Sequence, residues 1–268
     1  MRVQDTDDTI RSNMVKLFAR YVFPVYCTTS VEDYAYYFIG SGFFVKWDGN
    51  CVFVMTKHQY DLVTENENIF VPCGDEEKGI SVRTGKGIVY SDSDLVIFVV
   101  SDPMDLIDSE DFEVMPLEFL ATPEALEDYQ VFCVGYPTRL SAVDYLSKTI
   151  TSKIFGFFCD SFSIHPGRKP IEISLSDVIG YVANPDITDR EEATQGLSGS
   201  PIFGTKLNDD GRTGEVVMLG VATHVSKVPN SLHGTRALEL IDCLQDGFGL
   251  FDKQKAEDPE YPGFLTGE

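Results

Sequence analysis

The stretch T-Q-G-L-S-G-S-P, residues 194–201, sets Ser198 among glycines and ahead of a proline. Two uses fit so small and bendable a setting. One is a tight turn between strands. The other is a turn that holds a hydroxyl nucleophile against backbone N–H groups. A serine hydroxyl is a poor nucleophile near neutral pH, so the second use needs a base within hydrogen-bond reach and a third group to orient that base. Of the four histidines, His58 closes the apolar run C-V-F-V-M-T-K-H, where it would be well held and partly exposed. His165 precedes a proline and His233 adjoins Gly234; both read as surface or turn residues. His224 ends the run V-V-M-L-G-V-A-T-H. Among the carboxylates, Asp94 opens D-L-V-I-F-V-V, a run with the character of a buried strand. An acid there either solvates a turn or points a charge inward at a partner.

These residues need rigid elements to hold them. Ile10, Met14, Leu17 and Phe18 are spaced to share one face of a short N-terminal helix. Ala237, Leu240, Ile241 and Leu244 repeat that spacing, and Gly247 is expected to stop the second helix. Between them lie many short runs rich in Val, Ile, Phe and Tyr, bounded by Gly, Pro, Asp or Asn. That text predicts an all-β fold of sandwich or barrel type. The acidic stretch 101–126, bracketed by Pro103 and Pro123, reads as a seam between two β units.

Composition narrows the function. The chain has 268 residues, 43% of them hydrophobic, enough to build a full core. Its net charge of −22 repels nucleic acid and anionic membranes. The charge serves solubility or attracts a basic partner or substrate. No apolar run is long enough to span a membrane. The N-terminus lacks the apolar core of a secretion signal, so the expected location is cytoplasmic. The six cysteines form no C-x-x-C pair and no zinc spacing, and read as buried reduced thiols. No metal and no organic cofactor are expected.

The order His58, Asp94, Ser198 is that of chymotrypsin-like peptidases. Five segments carry a resemblance to the trypsin-fold serine peptidases, especially their intracellular bacterial and viral-type members. G-S-G-F-F-V (40–45) is similar to their strand leading towards the histidine, and V-M-T-K-H (54–58) to their T-x-x-H segment. S-D-L-V-I-F (93–98) is similar to their D-L-A-L-L strand. V-F-C-V-G-Y-P (131–137) resembles the strand that begins their second barrel, and G-L-S-G-S-P (196–201) resembles G-D-S-G-G-P. The resemblance implies two antiparallel β-barrels with short N- and C-terminal helices. It divides the chain into a helical segment 1–22, a first barrel 23–118 with His58 and Asp94, a second barrel 119–250 with Ser198 and the closing helix, and an irregular tail 251–268. It further implies a serine endopeptidase acting on a protein or peptide through an acyl-enzyme, with a narrow processing role. His58 would be the base, Asp94 its orienting acid and Ser198 the nucleophile. The N–H groups of Gly196 and Ser198 would form the oxyanion hole. The alternative is a protease fold without turnover that serves as a peptide-binding or scaffold protein.

The sequence also departs from the resembled pattern. Leu197 stands where secreted relatives carry an aspartate that pairs with a new N-terminus. The loop must then be ordered by its own packing, by the N-terminal helix or by a regulatory partner. Gln59 follows His58, so the disulfide that usually flanks that histidine is absent. The resemblance puts Glu192 at the pocket floor and Gln195 among the substrate-binding residues. An acid at 192 favours basic side chains; it is equally placed to be solvated. Thr223, His224 and Val225 resemble the strand that lines the same pocket and pairs with substrate backbone. His224 reads either as a packed strand residue or as a pocket residue, which would favour acidic or amide side chains. The two clues conflict, with a slight lean to basic.

Overall fold

The computed structural model describes residues 3–29, 35–72, 79–82, 86–100, 113–120, 129–146, 149–159, 162–164, 171–175, 179–182, 194–207, 213–226, 230–257 and 264–267. Helix α1 (Val3–Phe18) leads into strands β1 (Val22–Thr28), β2 (Tyr36–Trp47) and β3 (Asn50–Thr56). A single helical turn, α2 (Lys57–Tyr60), follows β3 directly. Then come β4 (Asn68–Pro72), β5 (Gly79–Ser81), β6 (Lys86–Tyr90) and β7 (Leu95–Val100). These strands form one curled sheet in the order β5-β4-β1-β2-β3-β7-β6, antiparallel throughout.

The second sheet begins with β8 (Gln130–Gly135). A hairpin, β9 (Ser141–Asp144) with β10 (Thr149–Ser152), stands apart from it. The sheet continues through β11 (Phe155–Cys159), β12 (Phe162–Ile164), β13 (Ile171–Ser174) and β14 (Ile179–Val182). It is completed by β15 (Pro201–Leu207), β16 (Thr213–Ser226) and β17 (Ser231–Arg236), in the order β12-β13-β17-β16-β15-β8-β11-β14. Two curled antiparallel sheets with few helices are the double-barrel architecture that the resemblance implies.

Three buried clusters hold this arrangement together. Val25, Phe44, Phe53, Ile69, Val96 and Phe98 fill the first sheet. Val131, Phe157, Ile171, Ile173, Leu197 and Ile202 fill the second. The third lies between the sheets, where Phe43, Val45, Val52 and Ile97 meet Phe132, Phe203 and Met218, with Phe18 and Leu240 from the flanking helices. Strand β3, which leads to His58, and strand β7, which follows Asp94, are buried on both faces, whereas β16 is buried at Thr223 and exposed at His224.

Four expectations are corrected. Leu17 is 51% exposed, and Val15 takes its place on the buried face of α1. Gly156 permits that contact, since a methyl group there would come within 2.5 Å of Val15. Gly247 does not stop the last helix. Helix α3 runs 21 residues, Ala237–Glu257, and is not short. Glycine at 247 serves close approach to Ile88 and Tyr90 rather than termination. The tail is not wholly irregular, because α3 occupies its first residues and β18 (Phe264–Gly267) pairs in parallel with β6. His233 is not a turn residue; it lies within β17, opposite His224. The seam at 101–126 falls largely outside the described residues, as do His165, Glu191 and Glu192. Cys27, Cys51, Cys133, Cys159 and Cys243 are buried thiols. No helix among the described residues is long and apolar enough to cross a membrane.

Candidate active site

Strand β3 ends at Thr56, and His58 sits on the helical turn α2 rather than at the strand end that its apolar run predicts. The turn forms because Thr56 occupies the N-cap and its backbone N–H donates to the Gln59 side-chain oxygen at 2.9 Å. Asp94 reaches the histidine from the start of β7. Its Oδ2 lies 2.7 Å from His58 Nδ1, and its Oδ1 accepts the His58 backbone N–H at 3.0 Å. Its own carbonyl accepts the Lys57 N–H at 3.0 Å. Asp94 adopts a left-handed φ of 52°, a conformation that Asp tolerates better than most residues. The acid therefore points at a partner, as the second of its two readings required. A carboxylate accepting from Nδ1–H fixes the tautomer, so that Nε2 carries the lone pair.

Ser198 lies on the turn that precedes β15. Leu197, beside it, is fully buried in the core of the second sheet. Four successive carbonyls of this turn have donors. Gln195 O accepts Thr138 N–H at 2.8 Å, and Gly196 O accepts the Ser41 hydroxyl at 3.1 Å. Leu197 O accepts Ser200 N–H at 2.9 Å. Ser198 O accepts both Ser41 N–H at 3.0 Å and Gln59 Nε2 at 2.8 Å.

A trans peptide points its N–H opposite to its carbonyl. Fixing the carbonyls of Gln195 and Leu197 therefore fixes the N–H groups of Gly196 and Ser198. Among the described residues neither N–H has an acceptor. Gly196 has a φ of 92°, and a methyl group there would lie 2.6 Å from Thr138 N, so only glycine fits.

The Ser198 hydroxyl donates to Thr223 O at 2.7 Å. No hydrogen bond joins it to His58, whose Nε2 lies 3.4 Å from Thr56 Oγ1. Strand β15 pairs with β16 only as far as Val221. Beyond it, His224 and Val225 pair with β17 on one edge, and no described strand occupies the other. The His224 and His233 rings stack with centroids 4.6 Å apart and planes within 6°. Partial burial, and then the His233 imidazole, hold His224 below the usual imidazole range, against the pull of Asp94. Gln195 is exposed, and its backbone rather than its side chain is held. Among the described residues no group of three or more His, Cys, Asp and Glu could hold a metal ion.

Three contributors were missed in the sequence. Ser41 was quoted only as part of a strand, although a small polar residue between two glycines marks a backbone contact. Thr138 carries no local signal. Gln59 was noted only for the cysteine it replaces.

No protein-family model and no curated protein significantly matches the chain. Among solved structures the chain is similar to the serine endoprotease from Yersinia pestis, at 16% identity and a TM-score of 0.46, covering 88% of this chain and 65% of that one. It is similar to the active form of the Rv3671c protease from M. tuberculosis, at 16% identity and a TM-score of 0.45, covering 88% and 85%. It is also similar to the tobacco vein mottling virus protease, at 10% identity and a TM-score of 0.44, covering 83% and 79%.

Proposed function

We propose that this chain is a serine endopeptidase that hydrolyses a protein substrate through an acyl-enzyme on Ser198. One observation carries the reading: Asp94 holds His58 at both its backbone N–H and Nδ1, while the neighbouring serine turn leaves the Gly196 and Ser198 N–H groups without acceptors. A substrate strand adds to the open edge at Thr223–Val225. The substrate N–H takes the Thr223 carbonyl, and the Ser198 hydroxyl turns from it to His58 Nε2. His58 removes the proton as Ser198 attacks the scissile carbonyl, and Asp94 stabilises the imidazolium. The oxyanion forms against the two free N–H groups, each worth on the order of 3–4 kcal/mol to the transition state. His58 then protonates the leaving amine, and water repeats the cycle in reverse.

The net charge of −22 favours basic substrates, in line with the lean that Glu192 gives. His224 at the open edge favours acidic or amide side chains, and a cleavage profile of Glu192→Gln and His224→Ala decides between them. A narrow processing role and a cytoplasmic location complete the proposal.

The Ser198–Thr223 bond supports a second reading, a peptide-binding module without turnover. A fluorophosphonate probe separates the two. Labelling of the wild type and not of Ser198→Ala supports the hydrolase. Equal labelling of both rejects it.

A further inference from the structure

Gln59 is only 1% exposed, yet it carries a polar amide into the space between the two sheets. Its Oε1 accepts the Thr56 N–H at 2.9 Å and the Thr56 hydroxyl at 2.7 Å. Its Nε2 faces three carbonyls, Ser198 O at 2.8 Å, Ser41 O at 3.2 Å and Ile39 O at 3.3 Å. This uses the full capacity of the amide. Burying a polar group costs stability unless its bonds are made, so a residue needed only for packing would be apolar here.

The chain keeps room for this amide on both sides. A methyl group at Gly40 would lie 1.9 Å from Nε2, and one at Gly199 would lie 2.0 Å from Ser41 O and 2.8 Å from Oε1. Both glycines have positive φ, 143° and 82°. The partners come from β2, from the cap of the His58 turn and from the nucleophile itself. One side chain thus spans the base-bearing element and the carbonyl of Ser198.

We infer that Gln59 is a positioning residue that holds the Ser198 turn in register with His58. The inference rests on the hydrolase reading. With Ser198 O held by Gln59 and Ser41, the peptide after the serine is fixed. Without the amide, one of those two donors is lost, and the serine turn is free to shift relative to the base. Misplacement on the ångström scale costs up to about a hundredfold in rate.

The test measures the rate of fluorophosphonate labelling in the full chain. Gln59→Met fills the space without the bonds and is expected to label about ten- to a hundredfold slower than wild type, with unchanged far-UV circular dichroism. Gln59→Glu supplies a readout that a packing role would not move. Its ionised carboxylate cannot donate to Ser198 O, whereas its protonated form can. Its labelling rate relative to wild type is expected to rise as the pH falls from about 8 to about 5.5, because burial raises a carboxyl pKa. Should Gln59→Met fail to fold, this pH series alone decides. A ratio independent of pH, folded Gln59→Met labelling at the wild-type rate, or a Gln59→Glu ratio that falls only as that variant unfolds overturns the assignment to Gln59. Equal labelling of wild type and Ser198→Ala overturns the hydrolase reading itself, and this inference with it.

Discussion

The Ser198 hydroxyl donates to the carbonyl of Thr223 at 2.7 Å, while the imidazole of His58 is held by Asp94 on its other side. In the proposed mechanism the nucleophile is thus occupied by the acceptor that an incoming substrate strand would use. Catalytic hydrogen bonds often tighten only in the substrate complex. A peptidyl phosphonate carrying the amide N–H of the residue before the cut is therefore expected to react faster than its N-methylated counterpart. The expected difference is about five- to tenfold, the worth of one hydrogen bond of roughly 1–1.5 kcal/mol. Equal rates for the two compounds would show that Thr223 O takes no part in binding.

Asp94→Asn isolates the role of the carboxylate. Asn tolerates the left-handed backbone that Asp94 adopts, so the loop keeps its shape. The amide can present an N–H to His58 Nδ1 and stabilise the wrong tautomer, leaving Nε2 protonated. Turnover is expected to fall about ten-thousandfold, with KM much less affected. Steady-state kinetics with a cleaved peptide, alongside a urea denaturation curve, check both halves of the statement.

Gly196→Ala addresses the oxyanion hole. The added methyl would meet Thr138 N at 2.6 Å and Tyr136 O at 2.9 Å, in a backbone state that costs a non-glycine residue about 1–3 kcal/mol. The Gln195–Gly196 peptide must turn to escape, and its N–H turns with it. Turnover is expected to drop about a hundred- to a thousandfold. Retention of the wild-type rate would mean that this N–H does not face the reacting carbonyl.

Much of the site was legible because its parts are local. His58, Asp94 and Ser198 each stand beside an apolar run, which marks them in the sequence, although β3 ends at Thr56 and His58 falls on the turn α2. Leu197 was legible as a departure from the resembled pattern, but its burial in the second sheet was not. What the sequence hid is what only pairing creates. Ser41 and Thr138 matter through hydrogen bonds to carbonyls remote in sequence, Gly196 O and Ser198 O for Ser41 and Gln195 O for Thr138, and no window contains both partners. Gly247 misled for a related reason. A glycine in a helical pattern signals either an end or a close contact, and the contact with Ile88 and Tyr90 is remote in sequence.

The His224–His233 stack makes stability depend on pH. His224 is held below the ordinary imidazole value of 6.5 by partial burial, by the charge of His233 and by that of His58, against the pull of Asp94. The folded chain therefore binds fewer protons at this site than the unfolded chain does. Its stability contribution is complete above the ordinary value and is lost as the pH falls through it towards the depressed folded value. Urea midpoints at about pH 7.5 and about pH 5.5 are expected to differ less in His224→Gln than in wild type. An equal difference would remove His224 from the pH response.

Two glycines in α3 give opposite expectations from the same substitution. Alanine in a helix interior is favoured over glycine by about 0.8–1.0 kcal/mol. At Gly249 a methyl group would meet nothing within 4 Å, so Gly249→Ala is expected to gain most of that amount. At Gly247 it would lie 2.8 Å from Ile88 Cδ1 and 2.9 Å from the Tyr90 hydroxyl. Neither neighbour yields readily, because Ile88 is fully buried and Tyr90 donates to Cys243 O at 2.6 Å. Forcing extra volume into such a contact costs about 1–3 kcal/mol, which exceeds the gain in helix propensity. Urea denaturation of the two single variants should therefore place them on opposite sides of wild type. If Gly247→Ala were as stabilised as Gly249→Ala, the close seat of α3 on β6 would not be what keeps glycine there.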